Sequence, residues 1–441
     1  MLRRSVSYFL GMILSAMFGV IAANAQSERI LHTFTSNNDG ATPQAGLIAD
    51  ANGNLYGTTV YGGYLDDCKI NEQPVGCGTV FEMNPPSAPG EGWKETVIHE
   101  FDGTSNGTSP QGPILVDQQG NLYGTASSSG EVNGGIVYQL SPPQVQGGAW
   151  IYSVIAPFIA GGENLVGPNG SLALDSRGNL YGAADAGGSN CGGVFELSPS
   201  NGVWTITSLY SFDPSRGDGC YAENGVLMDQ TGRLYGVTSE GPGGTIDGAL
   251  FVLSLSHDGR WTARNLHTFQ GGVDGSNPLG NLIINRGALY GTTQYGGDSG
   301  CGDYGCGTIY QISADGNYKI IYRFQEGTLN GIRPWSGLSA DSLGNLYGTT
   351  LLGGIDTECP YVGTQGCGTV YELTPPEIQG GKWTETMLYA FTGFNGDGAL
   401  PIGNVLWSSK GVLYGTASEG GNDNCSTFGT VGCGTVFALS K

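Results

Sequence analysis

Seven loops of this 441-residue chain carry an Asn or Asp four positions before a proline or the residue that replaces it. The series is Asp39, Asn106, Asn164, Asp218, Asp274, Asn330 and Asp397. Brought to one face, these oxygens would form a ring able to bind a cation such as calcium, or a polyhydroxylated ligand. The alternative is that the Asx residue only makes a turn, and the free exchange of Asn with Asp favours it, because a metal site would resist that exchange. The candidate calcium ligands are Asp39, Asp218, Asp274 and Asp397, and no other cofactor is expected.

Aromatic and arginine side chains in loops of the same face offer a second chemistry, stacking on sugars or gripping a peptide. They are Trp335, Arg333, Tyr295, Tyr61, Tyr221 and Arg216. Exposed aromatic rings beside polar loops suit such contacts. Packing between structural units is the alternative for each ring. We take this set as the candidate ligand-binding residues, with an extracellular glycan or protein as the partner.

Few side chains could act as a general acid or base near neutral pH, because the chain has only four histidines. His32, His99 and His267 each precede a Phe by two positions, where other segments have Tyr210, Tyr322 and Tyr389. Exchange of His with Tyr indicates packing, and no residue is assigned as catalytic. A hydrolase site built from two carboxylates stays open, since the chain has 38 Asp and Glu residues.

The elements that must position these residues are repeats of one unit, marked by the tripeptide Leu-Tyr-Gly. The tripeptide begins at Leu55, Leu122, Leu180, Leu234, Leu289, Leu346 and Leu413. A turn such as 50–53 precedes most copies, with Asp at its start and Gly at the position that needs a positive φ. Repeats of this kind decide the fold.

Each copy contains four short β-type runs, which we name A, B, C and D. In the first copy they are residues 46–50, 54–61, 78–83 and 93–101. They are rich in Val, Ile, Thr and aromatic residues and are bounded by turn residues, as strands of a meander are. Four antiparallel strands repeated seven times predict an all-β, seven-bladed β-propeller with strand A nearest the axis. Tryptophans at the start of D runs are interpreted as structural: Trp93, Trp150, Trp204, Trp261 and Trp383.

The two ends of the chain predict that the ring is closed. The seventh copy stops after its C run at 434–439, while residues 29–34 match the D runs at 96–101 and 264–269. An N-terminal strand that completes the last blade would remove two exposed sheet edges, and an open solenoid would have no use for it. In the closed ring the B–C and D–A loops share one face, and the A–B and C–D loops share the other.

Ten cysteines in an exported chain predict disulfides. Four pairs fall within single B–C loops: Cys68 with Cys77, Cys301 with Cys306, Cys359 with Cys367, and Cys425 with Cys433. Each would contribute roughly 2–3 kcal/mol through loop closure. Cys191 lies in a B–C loop and Cys220 in the D–A loop that leaves the same blade, so their pairing is a prediction of the fold as well. Zinc stays the alternative for Cys301 and Cys306, although no His lies nearby.

The repeat motifs resemble those of a known family. Leu-Tyr-Gly-Thr-Thr at Leu55, Leu289 and Leu346 is followed by Gly-Gly, and then by Cys-Gly-Thr-Val-Phe-Glu or a variant of it. The variants begin at Cys77, Cys306, Cys367 and Cys433. This pattern resembles the Gloeo/Verruco (GloVer) repeat family of exported bacterial proteins and covers residues 29–440. The resemblance implies a secreted or surface repeat protein of undefined biochemical role.

Residues 1–25 read as a signal peptide, with Arg3 and Arg4 before an apolar run and Ala23-Asn24-Ala25 at the cleavage site. Residues 26–441 would then form one propeller domain. The composition excludes collagen and disordered chains, because 79 glycines follow no three-residue period and 39% of the residues are hydrophobic. Removal of Arg3 and Arg4 takes the formal charge from −21 to −23, which repels nucleic acid and anionic lipid.

Together these features predict an exported, non-enzymatic binding or scaffold module that binds its ligand on the B–C/D–A face. The location would be periplasmic, cell-surface or secreted, and the expected state is a monomer without membrane insertion. The alternative function is a secreted polysaccharide-active hydrolase or lyase with carboxylates near the propeller axis.

Overall fold

The computed structural model describes residues 28–441 apart from short gaps at 37, 64–67, 71–72, 129–132, 146, 163, 189–190, 298–299, 328–329, 355–358, 361–362, 364, 379, 423–424 and 426–431. The predicted signal peptide lies outside the described residues. No helix within these ranges has the length and hydropathy needed to cross a membrane.

Seven four-stranded antiparallel sheets follow one another along the chain, and each pairs its strands in the order A, B, C, D. Blade 1 comprises Ile48–Ala49, Leu55–Thr59, Thr79–Asn84 and Lys94–Glu100. Blade 2 comprises Leu115–Val116, Leu122–Ala126, Asn133–Ser141 and Ile151–Ile159. Blade 3 comprises Leu165–Leu174, Leu180–Gly187, Gly193–Ser200 and Val203–Ser211. Blade 4 comprises Leu227–Met228, Leu234–Thr238, Ala249–Leu255 and Trp261–Thr268.

The remaining blades repeat the same plan. Blade 5 comprises Ile283–Asn285, Ala288–Thr293, Thr308–Ile312 and Tyr318–Arg323. Blade 6 comprises Ser339–Ala340, Leu346–Thr350, Thr369–Thr374 and Thr384–Ala390. Blade 7 comprises Leu406–Trp407, Val412–Ala417, Thr435–Ser440 and Glu28–Thr33. The predicted all-β propeller of seven blades is confirmed.

The loops contain short two-stranded ladders and single 3-10 turns. Three two-stranded ladders pair Lys69–Ile70 with Gln73–Pro74, Gly331–Ile332 with Leu352–Gly353, and Gly398–Ala399 with Glu419–Gly420. Single 3-10 turns occur at Pro214–Arg216, Gly272–Asp274 and Gly302–Tyr304. Strand A is shorter than predicted in blade 1, because the chain ahead of Ile48 packs against the neighbouring blade: a side chain on Gly46 would meet Asn404.

The ring is closed by the N-terminal strand, as the sequence predicts. Glu28–Thr33 pairs antiparallel with Thr435–Ser440, with Glu28 opposite Leu439 and Thr33 opposite Thr435. Beyond the strand, the amide of Phe34 donates to the carbonyl of Gly434 at 3.0 Å. These bonds join segments some 400 residues apart in sequence and leave blade 7 with the same four strands as its neighbours.

Neighbouring blades meet through a ring of aromatic pairs, which we call the inter-blade seam. In each pair, a buried Phe after or within strand D packs on the aromatic residue of strand C in the next blade, with ring centroids 4.9–5.3 Å apart. The pairs are Phe34–Phe81, Phe101–Tyr138, Phe158–Phe195, Phe212–Phe251, Phe269–Tyr310, Phe324–Tyr371 and Phe391–Phe437. The seam passes through the closure without interruption.

The Leu-Tyr-Gly tripeptide serves this packing. Its Gly has no side chain because the strand C aromatic ring occupies that space: a Cβ on Gly57 would strike Phe81, and one on Gly124 would strike Tyr138. Its Tyr packs on the Trp that precedes or begins strand D of the next blade, as in Tyr56–Trp150 at 5.8 Å. The same contact recurs in Tyr123–Trp204, Tyr181–Trp261, Tyr290–Trp383 and Tyr414–Trp93. These tryptophans therefore have the structural role that the sequence indicates.

Candidate functional site

The D–A loops reach the centre of the ring through a repeated backbone turn. The residue before the loop proline, or before Ala222 in blade 4, has a positive φ in all seven blades. These residues are Thr42, Ser109, Gly167, Tyr221, Asn277, Arg333 and Leu400, with φ between 52° and 69°. Six of the seven are not glycine, so the surrounding structure must hold them in a conformation that L residues rarely adopt. In five of the seven, including Thr42 and Arg333, the amide donates to the carbonyl of a B–C loop cysteine at 2.8–3.1 Å.

Two positions after the residue with the positive φ, each loop contributes a residue to the wall of a cavity of about 280 Å³. Residues of all seven blades contribute to its wall, so the cavity lies on the propeller axis. The D–A loops supply it, which places its opening on the B–C/D–A face. We call the seven residues that follow the proline, or Ala222, the mouth ring. They are Gln44, Gln111, Asn169, Glu223, Leu279, Trp335 and Ile402.

The mouth ring divides into two chemically different sectors. Blades 1–4 present amide and carboxyl groups, from Gln44 to Glu223, and blades 5–7 present Leu279, Trp335 and Ile402. The indole of Trp335 is the most exposed of the apolar group, with 39% of its surface accessible. The rest of the lining is mixed, because Asn281, Ser336 and Asn404 of blades 5–7 and Ala45 and Pro113 of blades 1 and 2 also contribute to it. Pockets hold and orient small ligands with apolar surface and a few placed polar groups. Sugar rings, which have an apolar face and a polar edge, fit this division.

Another of the predicted residues, Arg333, lies two positions before Trp335 in the chain. Arg333 lies over the ring of Tyr295, with its Cζ 5.6 Å from the ring centroid. Tyr295 packs in turn on Tyr304, with centroids 5.4 Å apart. Of the six predicted ligand-binding residues, the structure therefore brings Arg333 into contact with Tyr295, and it places Trp335 alone in the lining of the axial cavity.

The other three predicted residues lie apart from this group. Arg216 stacks on Tyr210 at 5.5 Å and forms ion pairs with Asp213 and Asp218 at 3.6 Å. Tyr61 packs partly buried in the core beside the closure, where burial raises the pKa of its phenol. Tyr221 packs on the cluster that contains Cys191 and Cys220, and Glu223, two residues further along the chain, belongs to the mouth ring.

One acidic neighbour of the polar sector was not predicted from the sequence: Asp185 lies close enough to Glu223 of the mouth ring for its charge to act on it. Burial raises the pKa of Glu223, and the negative charge of Asp185 raises it further. Burial also raises the pKa of Asp185. Blade 3 makes room for this carboxylate with a glycine, since a Cβ on Gly167 would strike the Oδ1 atom of Asp185. The available signal was comparison of the copies: the position five residues after the Leu of Leu-Tyr-Gly is acidic only in blade 3.

The aspartates of the Asx series accept hydrogen bonds from residues in or next to the D–A loops. Asp39 accepts from the amide of Thr35 at 3.0 Å, Asp274 from that of Gln270 at 3.1 Å, and Asp397 from that of Thr392 at 2.7 Å. Asp218 accepts from the hydroxyl of Tyr210 at 2.8 Å. Within the described residues, no group of three or more His, Cys, Asp or Glu side chains could hold a metal. The calcium hypothesis stays a prediction, and a rise in melting temperature with calcium over chelator would support it.

The cysteines form the five predicted disulfides, and the part of the chain that the structure describes has no free cysteine. Four lie within single B–C loops. The fifth joins Cys191 to Cys220, with Cα atoms 4.5 Å apart. This bond confirms that the B–C and D–A loops lie on one face. Five disulfides are consistent with an extracellular or periplasmic location.

A sequence profile identifies the class of protein that this fold and these loops define. The profile described as Gloeobacter/Verrucomicrobia repeat matches residues 16–158 and 68–304, which together are more than half of the chain. The chain therefore belongs to the Gloeobacter/Verrucomicrobia repeat family, as its motifs predict. No curated protein sequence matches it.

Solved structures share the fold at low sequence identity. PorZ, a bacterial surface component of the type-IX secretion system of Porphyromonas gingivalis, aligns with a TM-score of 0.50 and 12% identity over 93% of this chain and 48% of PorZ. The chain thus spans about half the length of PorZ. An ancestral GH74 enzyme aligns with a TM-score of 0.48 and 13% identity over 91% of this chain and 51% of the enzyme. A luciferin-regenerating enzyme aligns with a TM-score of 0.41 and 13% identity over 75% of this chain and 91% of the enzyme.

Proposed function

We propose that this protein is an exported, non-enzymatic binding module that takes an extracellular glycan at the axial cavity of the B–C/D–A face. The division of the mouth ring supports the proposal most directly. An indole with 39% of its surface exposed and three amide side chains line one cavity of about 280 Å³, a volume near the lower end of small-ligand pockets.

Variation among the seven copies supports the same proposal. Six copies keep the loop proline, and all seven keep the positive φ before the mouth ring. The mouth-ring residue itself changes from copy to copy, so its identity is not dictated by the turn that presents it. A scaffold that holds seven variable side chains around one opening is suited to recognition.

A glycan array with Trp335→Ala tests the proposal. We expect the wild-type protein to retain at least one class of extracellular polysaccharide and Trp335→Ala to lose it, because stacking on the indole supplies the largest apolar contact. Phe394→Ala is the matched control: Phe394 is 45% exposed on a D–A loop but does not line the cavity. Equal retention by both variants would remove Trp335 from the site, and retention of a protein in place of any glycan would overturn the ligand class.

A second candidate function rests on Asp185 and Glu223. Glu223 lines the axial cavity, and Asp185 lies close enough for its charge to raise the pKa of Glu223. A pair of carboxyl groups is what a polysaccharide hydrolase or lyase uses as its acid and base. Release of new reducing ends or of unsaturated products from a polysaccharide, abolished by Glu223→Gln, would favour the enzyme. Binding without any chain cleavage would favour the module.

A further inference from the structure

The cations of the B–C/D–A face differ in whether the protein already neutralises them. Arg216 is held by two aspartates and also donates to the carbonyl of Ser211 at 2.7 Å. Arg333 forms no ion pair with any described carboxylate, although the chain carries 38 Asp and Glu residues. Its Nε atom is buried without a hydrogen-bond partner among the described residues. A guanidinium left unpaired in so acidic a chain has its charge and donors available for a ligand.

Arg333 is close to the mouth ring along the chain, although it does not itself line the axial cavity. One residue, Pro334, separates it from Trp335, so the two Cα atoms lie within about 7 Å of each other. Contact with Tyr295 holds the guanidinium at one place and reduces the entropy lost when it binds. A pyranose ring stacked on Trp335 would therefore bring a substituent of the sugar within reach of Arg333.

We propose that the axial mouth selects an acidic saccharide whose ring packs on Trp335 and whose carboxylate pairs with the guanidinium of Arg333. This inference rests on the proposed glycan-binding function and narrows its ligand class. A guanidinium binds a planar carboxylate through two parallel hydrogen bonds, which an ammonium group cannot reproduce. The amides of Gln44, Gln111 and Asn169 would bind the hydroxyl groups of the sugar from the opposite side of the mouth.

Calorimetry with two probes of equal length tests the inference: oligogalacturonate and its fully methyl-esterified form, in which a neutral methyl ester replaces each carboxylate. We expect wild type to bind the acid form at least tenfold more tightly, with an affinity that falls as salt is added. Arg333→Gln should remove that preference, and Arg333→Lys should restore only part of it. Arg216→Gln should leave the preference intact, since its charge is already neutralised. Melting curves identify any variant that has lost its fold.

The outcomes separate this inference from the proposal beneath it. Equal wild-type affinity for the two probes, with both lost in Trp335→Ala, would overturn the acidic ligand and leave the glycan-binding function standing. The same follows if Arg333→Gln weakens both probes alike. Competition adds a readout on the unmodified protein: free glucuronate should displace the acid probe at a lower concentration than glucose does, and equal displacement would contradict the inference. Failure of every saccharide to bind would contradict the proposed function itself.

Discussion

The inter-blade seam and the mouth ring each contain one contribution from every blade, yet the residue type is nearly uniform at the seam and varied at the mouth. At the seam, every blade gives a Phe on one side and a Phe or Tyr on the other, with centroids 4.9–5.3 Å apart. At the mouth, the seven residues include two Gln, one Asn, one Glu, one Trp and two aliphatic side chains. The backbone that presents them is the same in each blade.

The difference reflects what each region packs against. A seam residue is enclosed by two blades, and only one size and shape fills the space between them. The mouth-ring residues border the axial cavity and none of them is fully buried, so neighbouring packing constrains their type less. Uniformity therefore marks the residues that hold the ring together, and diversity marks those free to recognise a ligand. Four predictions test this division, beginning with the largest expected effect.

Truncation of the seam at the closure should cost the most stability. Phe34 is fully buried and joins the N-terminal strand to Phe81 of blade 1. We expect Phe34→Ala to lower the free energy of unfolding by about 3–5 kcal/mol, the range for a large side chain removed from a core. Urea denaturation measures the loss, and Phe394→Ala, an exposed Phe, serves as the control with less than about 0.5 kcal/mol. Equal stability of the two variants would mean that the closure does not hold the ring.

Loss of the disulfide between Cys191 and Cys220 should have the next largest effect. The bond closes 29 residues, against 5 for Cys301–Cys306. Chain entropy predicts roughly 3.6 kcal/mol for the first and 2 kcal/mol for the second. We expect the double Ala variant of the longer loop to melt at the lower temperature under non-reducing conditions. The reverse order would show that strain or residual structure outweighs chain entropy here.

The repeats made most of the fold predictable from the sequence, whereas the arrangement of side chains at the mouth was harder to predict. Seven Leu-Tyr-Gly copies, an orphan D strand at residues 29–34 and the isolated Cys191 each have one simple explanation in a closed ring. Trp335 and Arg333 could be proposed because aromatic and arginine side chains in polar loops suit contacts with a ligand. The proximity of Asp185 to Glu223 could not be seen, because it depends on how blades 3 and 4 meet and on the absence of a side chain at Gly167.

The stability of the contact between blade 1 and the closing strand should also depend on pH through Glu95, which lies in strand D of blade 1 near His32 and Asp39. Burial raises the pKa of Glu95 to about 7, with His32 opposing and Asp39 reinforcing the shift. The folded state thus holds the proton more tightly than the unfolded chain, so this group costs stability as pH rises from about 4.5 to 7. We expect Glu95→Gln to reduce that loss, on the order of 1 kcal/mol after solvent screening. Melting at pH 4.5 and 7.5 measures it, with the exposed Glu377→Gln as the control; an identical pH profile for wild type and Glu95→Gln would place the proton elsewhere.

At the mouth the expected change in stability is the smallest, and the effect should fall on binding instead. Gln111 is exposed and belongs to the polar sector of the mouth ring. Gln111→Ala should leave the free energy of unfolding within about 0.5 kcal/mol of wild type. Because a lost hydrogen bond is worth about 1 kcal/mol, its affinity for a bound saccharide should fall roughly fivefold. A large loss of stability with unchanged binding would reverse the division between the two rings, because it would make the mouth a packing element.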